Sequence, residues 1–135
     1  MREILFHGKR ADNGEWIEGD LIQVGLHDKP KYASIMPQIP VSSAYPVLPE
    51  TVGQYTGLTD RNGKKIFEGD ICKFKRFNDV HIGKVVFNVT TASFIMWYQP
   101  IVGAYGEKAT QKMLLSVCDN IEAVGNIHDN PELLE

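Results

Sequence analysis

A chain of 135 residues with 43% apolar and 23% charged residues has the composition of one soluble globular domain. At that length a core buries roughly 68% of the unfolded surface and needs no disulfide or metal to hold it. The net charge of −3 excludes a global pull toward nucleic acid or anionic membrane. No apolar run reaches the roughly 18 residues of a membrane span, and Met1-Arg2-Glu3-Ile4 opens no signal core. A cytoplasmic protein that does not engage a membrane is therefore expected.

In chain order, Arg2 to Gly8 is a short apolar run of strand character, followed by a turn at Asn13-Gly14. Asn-Gly favours a type I′ hairpin turn, which needs positive φ at both central residues. The return strand is predicted from about Glu15 to Val24, with Trp16, Ile22 and Val24 on one face. Residues 28–50 hold Pro30, Pro37, Pro40, Pro46 and Pro49. Proline lacks a backbone donor, so this stretch is predicted as an extended loop with at most a short edge strand at Tyr32–Met36.

Thr51 to Thr56 is strand-like, and a second turn follows at Asp60-Arg61-Asn62-Gly63. Ile71 to Phe77 alternates, with Cys72 and Phe74 on one side and Lys73 and Lys75 on the other, as a half-buried strand does. Gly83–Val89 is β-branched, and Ser93–Tyr98 is apolar on both faces, which predicts a central strand. Residues 99–111 read as a loop, 112–117 are too short to type, and Ile121–Ile127 is a last strand. Asn130-Pro131-Glu132 then predicts a terminal helical turn capped by Asn130. The expected fold is mostly β. An N-terminal β-hairpin and long Pro-rich loop (1–58) precede a small SH3-like β-barrel (59–135), all within one domain.

One phrase occurs twice. Residues 13–22 read Asn-Gly-Glu-Trp-Ile-Glu-Gly-Asp-Leu-Ile, and residues 62–71 read Asn-Gly-Lys-Lys-Ile-Phe-Glu-Gly-Asp-Ile. The Glu-Gly-Asp corners supply Glu18, Asp20, Glu68 and Asp70, which as carboxylate pairs could do acid–base work. Glycine at a kink and an Asp bonded to its own backbone explain the same residues as shape, and that reading is preferred.

Little else points to catalysis. His7, His27, His81 and His128 lack any metal-ligand spacing. Cys72 and Cys118 lie too far apart in sequence for a metal knuckle or redox pair and are expected as buried thiols. Neither a nucleophile elbow nor a phosphate loop occurs. The expectation is no catalytic residues, no cofactor and no metal.

Two segments are candidates for binding. Between residues 61 and 76, Arg61, Lys64, Lys65, Lys73, Lys75 and Arg76 stand against Glu68 and Asp70, a local charge of +4 with Phe67, Phe74 and Phe77 interleaved. That pattern suits a nucleic-acid face of phosphate contacts and stacking. Equally, lysines blunt an exposed strand while phenylalanines fill a core. In the Pro-rich segment, Tyr32, Met36, Tyr45 and Val47 would form an apolar arm able to pack on a neighbour.

The stretch 49–71, which includes Gly53-Gln54-Tyr55-Thr56-Gly57-Leu58-Thr59-Asp60 and runs through the second Glu-Gly-Asp, resembles the central signature of the YopX family. The opening Arg2-Glu3-Ile4-Leu5-Phe6-His7-Gly8-Lys9 and the closing Val124-Gly125-Asn126-Ile127-His128-Asp129-Asn130-Pro131-Glu132-Leu133-Leu134 are similar to the family's two ends, in the same order. The resemblance implies a phage or prophage protein located in the bacterial cytoplasm. It brings no catalytic residue or cofactor to carry over. The sequence thus points to a non-enzymatic accessory module that meets itself or another phage or host protein. A nucleic-acid binder is the alternative.

Overall fold

The computed structural model describes residues 1–26, 29–38, 43–76, 78–98, 111–114 and 118–135. They form two compact units, Met1–Gly57 and Leu58–Glu135.

The first unit holds β1 (Phe6–Lys9), β2 (Trp16–Leu26), β3 (Lys29–Met36) and β4 (Tyr45–Val47). A 3-10 turn at Pro49–Thr51 leads into β5 (Gly53–Thr59). The strand order is β4-β3-β2-β1-β5, and β1 pairs antiparallel with β2 and β5, as β3 does with β2 and β4. The sheet curls, since Arg10, just past β1, bridges to Val47 on β4. Its concave face buries Ala33, Ile35 and Val47, with Phe6, Ile17, Leu21 and Val52 packed against them. Thr51 is buried too: its hydroxyl accepts the Lys9 N–H at 2.9 Å and donates to the Leu48 carbonyl at 2.6 Å. That one side chain fixes the 3-10 turn to the end of β1.

The second unit begins in the tail of β5. The Asp60–Lys64 turn closes onto β6 (Lys65–Phe67), and the Glu68-Gly69 corner leads into β7 (Asp70–Arg76). Then come β8 (Asp79–Asn88), β9 (Ser93–Tyr98), β10 (Gln111–Leu114) and β11 (Asp119–Asn126), with a 3-10 turn at Pro131–Leu134. The antiparallel order is β10-β9-β8-β7-β11. The alternation of β7 is as expected. Cys72 and Phe74 point into a core with Ile66, Val85, Met96, Tyr98 and Ile121, while Lys73 and Lys75 face out. Burying Phe74 alone contributes about 3 kcal/mol, and its ring meets Tyr98 edge-on at 4.9 Å.

Several expectations are corrected. Among the described residues of 28–50, β3, β4 and a 3-10 turn stand where an extended loop was expected. The prolines sit where a missing donor costs little. Pro30 lies at the register slip opposite Gly25, Pro46 lies on the short strand β4, and Pro49 opens the 3-10 turn. Pro40 lies outside the described residues. Neither Asn-Gly is a type I′ turn, since Gly14 and Gly63 have positive φ (72° and 81°) and Asn13 and Asn62 do not. Each Asn-Gly instead closes a longer loop, with Gly63 N–H bonded to the Asp60 carbonyl and Gly14 N–H to that of Arg10.

The second unit is also not a closed SH3-like barrel. The physical reason lies on β11, whose Ile121 carbonyl and Ala123 N–H are bonded by Arg61 N–H and the Asp60 carboxylate. A closing strand would need those same groups. At the C-terminus the 3-10 turn forms, but Asn130 does not cap it. Its Oδ1 instead accepts the Asn126 N–H at 3.2 Å. Residues 99–110 and 115–117 and the side chains Phe77 and His27 lie outside the described residues.

Candidate functional site

The two corners place their acids differently. The first has no turn: Glu18, Gly19 and Asp20 lie within the continuous strand β2. Gly19 is buried there under β3, and a Cβ on it would lie 2.6 Å from the carbonyl carbon of Met36 and 2.9 Å from Cα of Pro37. Asp20 is exposed and accepts from Gln38 Nε2 at 2.8 Å.

The second corner is a true turn. Gly69 has φ of 92°, its N–H bonds the Val85 carbonyl and its carbonyl takes the Ile127 N–H. Asp70 is 8% exposed and accepts the Phe67 N–H at 2.9 Å. Burial pushes its carboxyl up to about 6, against the Phe67 N–H and the charge of Lys64, which favour the anion. Asp70 therefore helps to shape a turn, whereas Asp20 sits on a continuous strand.

Asp60, which the sequence reading passed over, is the busiest side chain of the second unit. Its Oδ1 accepts the N–H groups of Asn62 and Lys64 at 2.8 and 2.9 Å, and its Oδ2 accepts that of Ala123 at 3.0 Å. Burial opposes its charge, but those donors outweigh it and hold the carboxyl below its usual range. An Asp two residues ahead of Asn-Gly is the turn signal that could have found it.

The basic segment separates into uses. Arg61, Lys64, Lys73 and Lys75 are exposed, and Lys65 and Arg76 are half-buried. Arg76 Nη1 donates to the Tyr98 hydroxyl at 3.1 Å. Lys75 lies opposite Asp119 and Lys73 opposite Glu122 in the β7–β11 register, so acids border the lysines. Phe67 and Phe74 are buried in the core and offer no stacking face. Lys75, Asn78, Asp119 and Asn120 line a polar depression beside the β7–β8 turn.

In the proposed apolar arm, Tyr32 is 61% exposed and Met36 half-buried. Tyr45 lies under the Arg10 guanidinium, 4.3 Å from the ring centre. Val47, at 4% exposure, belongs to the core and presents no surface, so that part of the arm is corrected. In its place the outer face of the β2–β3 hairpin gathers Val24 directly across from Tyr32, with Ile22 two pairs further along, across from Ser34. Ile22 and Val24 are 46% and 58% exposed. Period-2 spacing already put Ile22 and Val24 on one face. Only the pairing adds Tyr32.

Each described histidine has its own surroundings. His7 stacks on Trp16 at 4.6 Å within the first unit. His81 packs by Phe74 and Tyr98 at 5.6 and 5.0 Å, and His128 is exposed beyond β11. No group of three or more His, Cys, Asp or Glu is arranged for a metal among the described residues. Both cysteines are free thiols. Burial raises Cys72, and raises Cys118 to about 11, so neither has the thiolate character of a nucleophile. No helix among the described residues is long and apolar enough to cross a membrane.

The fold and its acids thus define a β-rich protein of two antiparallel sheets whose prominent polar side chains hold backbone. The YopX family, described as YopX protein, matches residues 5–135. The chain belongs to the YopX family. Among solved structures it is similar to the crystal structure of protein EF1440 from Enterococcus faecalis, with 20% identity, a TM-score of 0.58 and 100% of each chain covered. That likeness is one of fold. No curated protein matches.

Proposed function

We propose that this protein is a non-enzymatic interaction module, a phage- or prophage-encoded accessory protein of the bacterial cytoplasm. It associates with a second copy of itself or with another phage or host protein. The observation that carries the reading is the apolar outer face Ile22, Val24 and Tyr32, set in register on a paired hairpin and about half exposed. Large apolar side chains side by side on a surface strand favour burial against a partner. The aspartates of the two corners support it as well, since Asp70 accepts from backbone and Asp20 from Gln38. Light scattering after size exclusion tests self-association. The wild type is expected to be larger than one chain, and Val24→Lys with Tyr32→Glu to shift it to the monomer. A wild type that stays monomeric at high concentration contradicts self-association.

A second reading, nucleic-acid binding through Arg61, Lys64, Lys65, Lys73, Lys75 and Arg76, is favoured by the exposure of Arg61, Lys64, Lys73 and Lys75. It is opposed by Asp119 and Glu122 across from Lys75 and Lys73. A gel-shift titration at two salt concentrations separates them, because phosphate contacts give a steep salt slope. No shift at low salt rejects this second reading.

A further inference from the structure

Among the described residues of the second unit, Asp60 and Asp70 are buried, and they are provided for unequally. Asp60 receives backbone N–H groups from Asn62, Lys64 and Ala123. For Asp70 the Phe67 N–H, on Oδ2, is the one hydrogen bond among the described residues. A buried anion with one donor is poorly stabilised, and the remedy open to it is a proton. Oδ1 is the oxygen that Phe67 leaves unused. No buried side-chain N or O atom among the described residues is sealed from solvent without a partner, so Oδ1 stays within reach of water for proton exchange.

The corner that Asp70 closes is a junction. Phe67 on β6 is held through Asp70, the Gly69 N–H holds Val85 on β8, and the Gly69 carbonyl holds Ile127 after β11. The charged groups acting on Asp70 are Lys64, which favours the anion, and Asp60, which opposes it. Across β11 its register partner is the uncharged Asn126, and on β8 Lys84 stands opposite Ile71, the next residue of β7. Glu68 belongs to the corner itself.

We infer that the Phe67–Asp70 corner links folding to a proton: Asp70 takes up one proton from solvent on Oδ1 as the second unit folds, and releases it as the medium turns neutral. The Phe67 bond to Oδ2 survives either way, but above the transition it holds a buried anion. With the folded carboxyl at about 6 and its ordinary value at 3.8, the added stability is complete below about 3.8 and is lost as pH rises through 6. Asp60 acts in the opposite sense. Its lowered carboxyl stabilises above the ordinary range and is lost as pH falls below it. Together they make mildly acidic conditions the most favourable for this unit.

The test uses the full chain with Trp16→Phe, so that Trp97 on β9 reports the second unit, in urea titrations at pH 7 and 5 and constant ionic strength. The folding equilibrium constant is expected to rise roughly tenfold from pH 7 to 5. Asp70→Asn, which keeps an acceptor for Phe67, should remove that rise, and Asp20→Asn should keep it. The comparison cancels the contribution of every ionisable group that the variants share. Should Asp70→Asn not fold, a carboxyl-carbon NMR titration of the wild type decides. A midpoint near 6 supports proton uptake at this corner. A midpoint near 3.8, or a rise from pH 7 to 5 that Asp70→Asn leaves unchanged, overturns it.

Discussion

The two copies of the repeated phrase share their words and differ in what the words do. In the first, Ile17 is followed at once by Glu18-Gly19-Asp20. In the second, Phe67 stands between Ile66 and Glu68. One residue more reverses every side chain that follows in a strand. The first copy stays in one strand, β2, and lets β3 cross close over Gly19. The second breaks into β6, a corner and β7, and Gly69 supplies the positive φ of the turn. Thus Gly19 is needed for space and Gly69 for conformation. The turns differ likewise. Asn13 Oδ1 accepts the Glu15 N–H within its own loop, whereas the second turn is organised by Asp60, where the first has Ala11.

That contrast can be broken or sharpened by substitution, beginning with the largest effect. Gly19→Ala forces a methyl into the β3 backbone, which cannot swing aside as a flexible side chain does. A loss of about 3 kcal/mol or more is expected in denaturant unfolding. Asp60→Ala strands the Asn62, Lys64 and Ala123 N–H groups and should cost about 2–3 kcal/mol. Gly69→Ala meets only the Ile127 side chain, at 3.8 Å or more, so its cost is the backbone strain of about 1–2 kcal/mol. Asp20→Ala gives up one exposed bond to Gln38, and thermal unfolding should move by no more than about 0.5 kcal/mol.

Much of the scaffold was legible because half-buried strands alternate. Cys72, Lys73, Phe74 and Lys75 announce β7 and its buried side without ambiguity. In the Pro-rich segment five prolines mask the strand pattern, and only the strand at Tyr32–Met36 is legible. Pro46 is compatible with a strand when that strand is short and ladders little, and Pro30 falls at a slip. Barrel closure was illegible because it turns on Asp60 and Arg61 taking the edge of β11, a contact between residues some sixty positions apart. Of the binding candidates, alternation located Ile22 and Val24 but no local pattern could pair them with Tyr32. The burial of Val47 likewise depends on the bridge to Arg10 and on β3. The lysines of β7 were plain, while the acids facing them on β11 appear only once the register is known.

The account rests on the repeated Glu-Gly-Asp serving shape, with its two glycines required for unlike reasons. Urea unfolding of Gly19→Ala beside Gly69→Ala tests this most directly. The predicted result is a clearly larger loss for Gly19→Ala. Equal losses, or a larger one for Gly69→Ala, would contradict it.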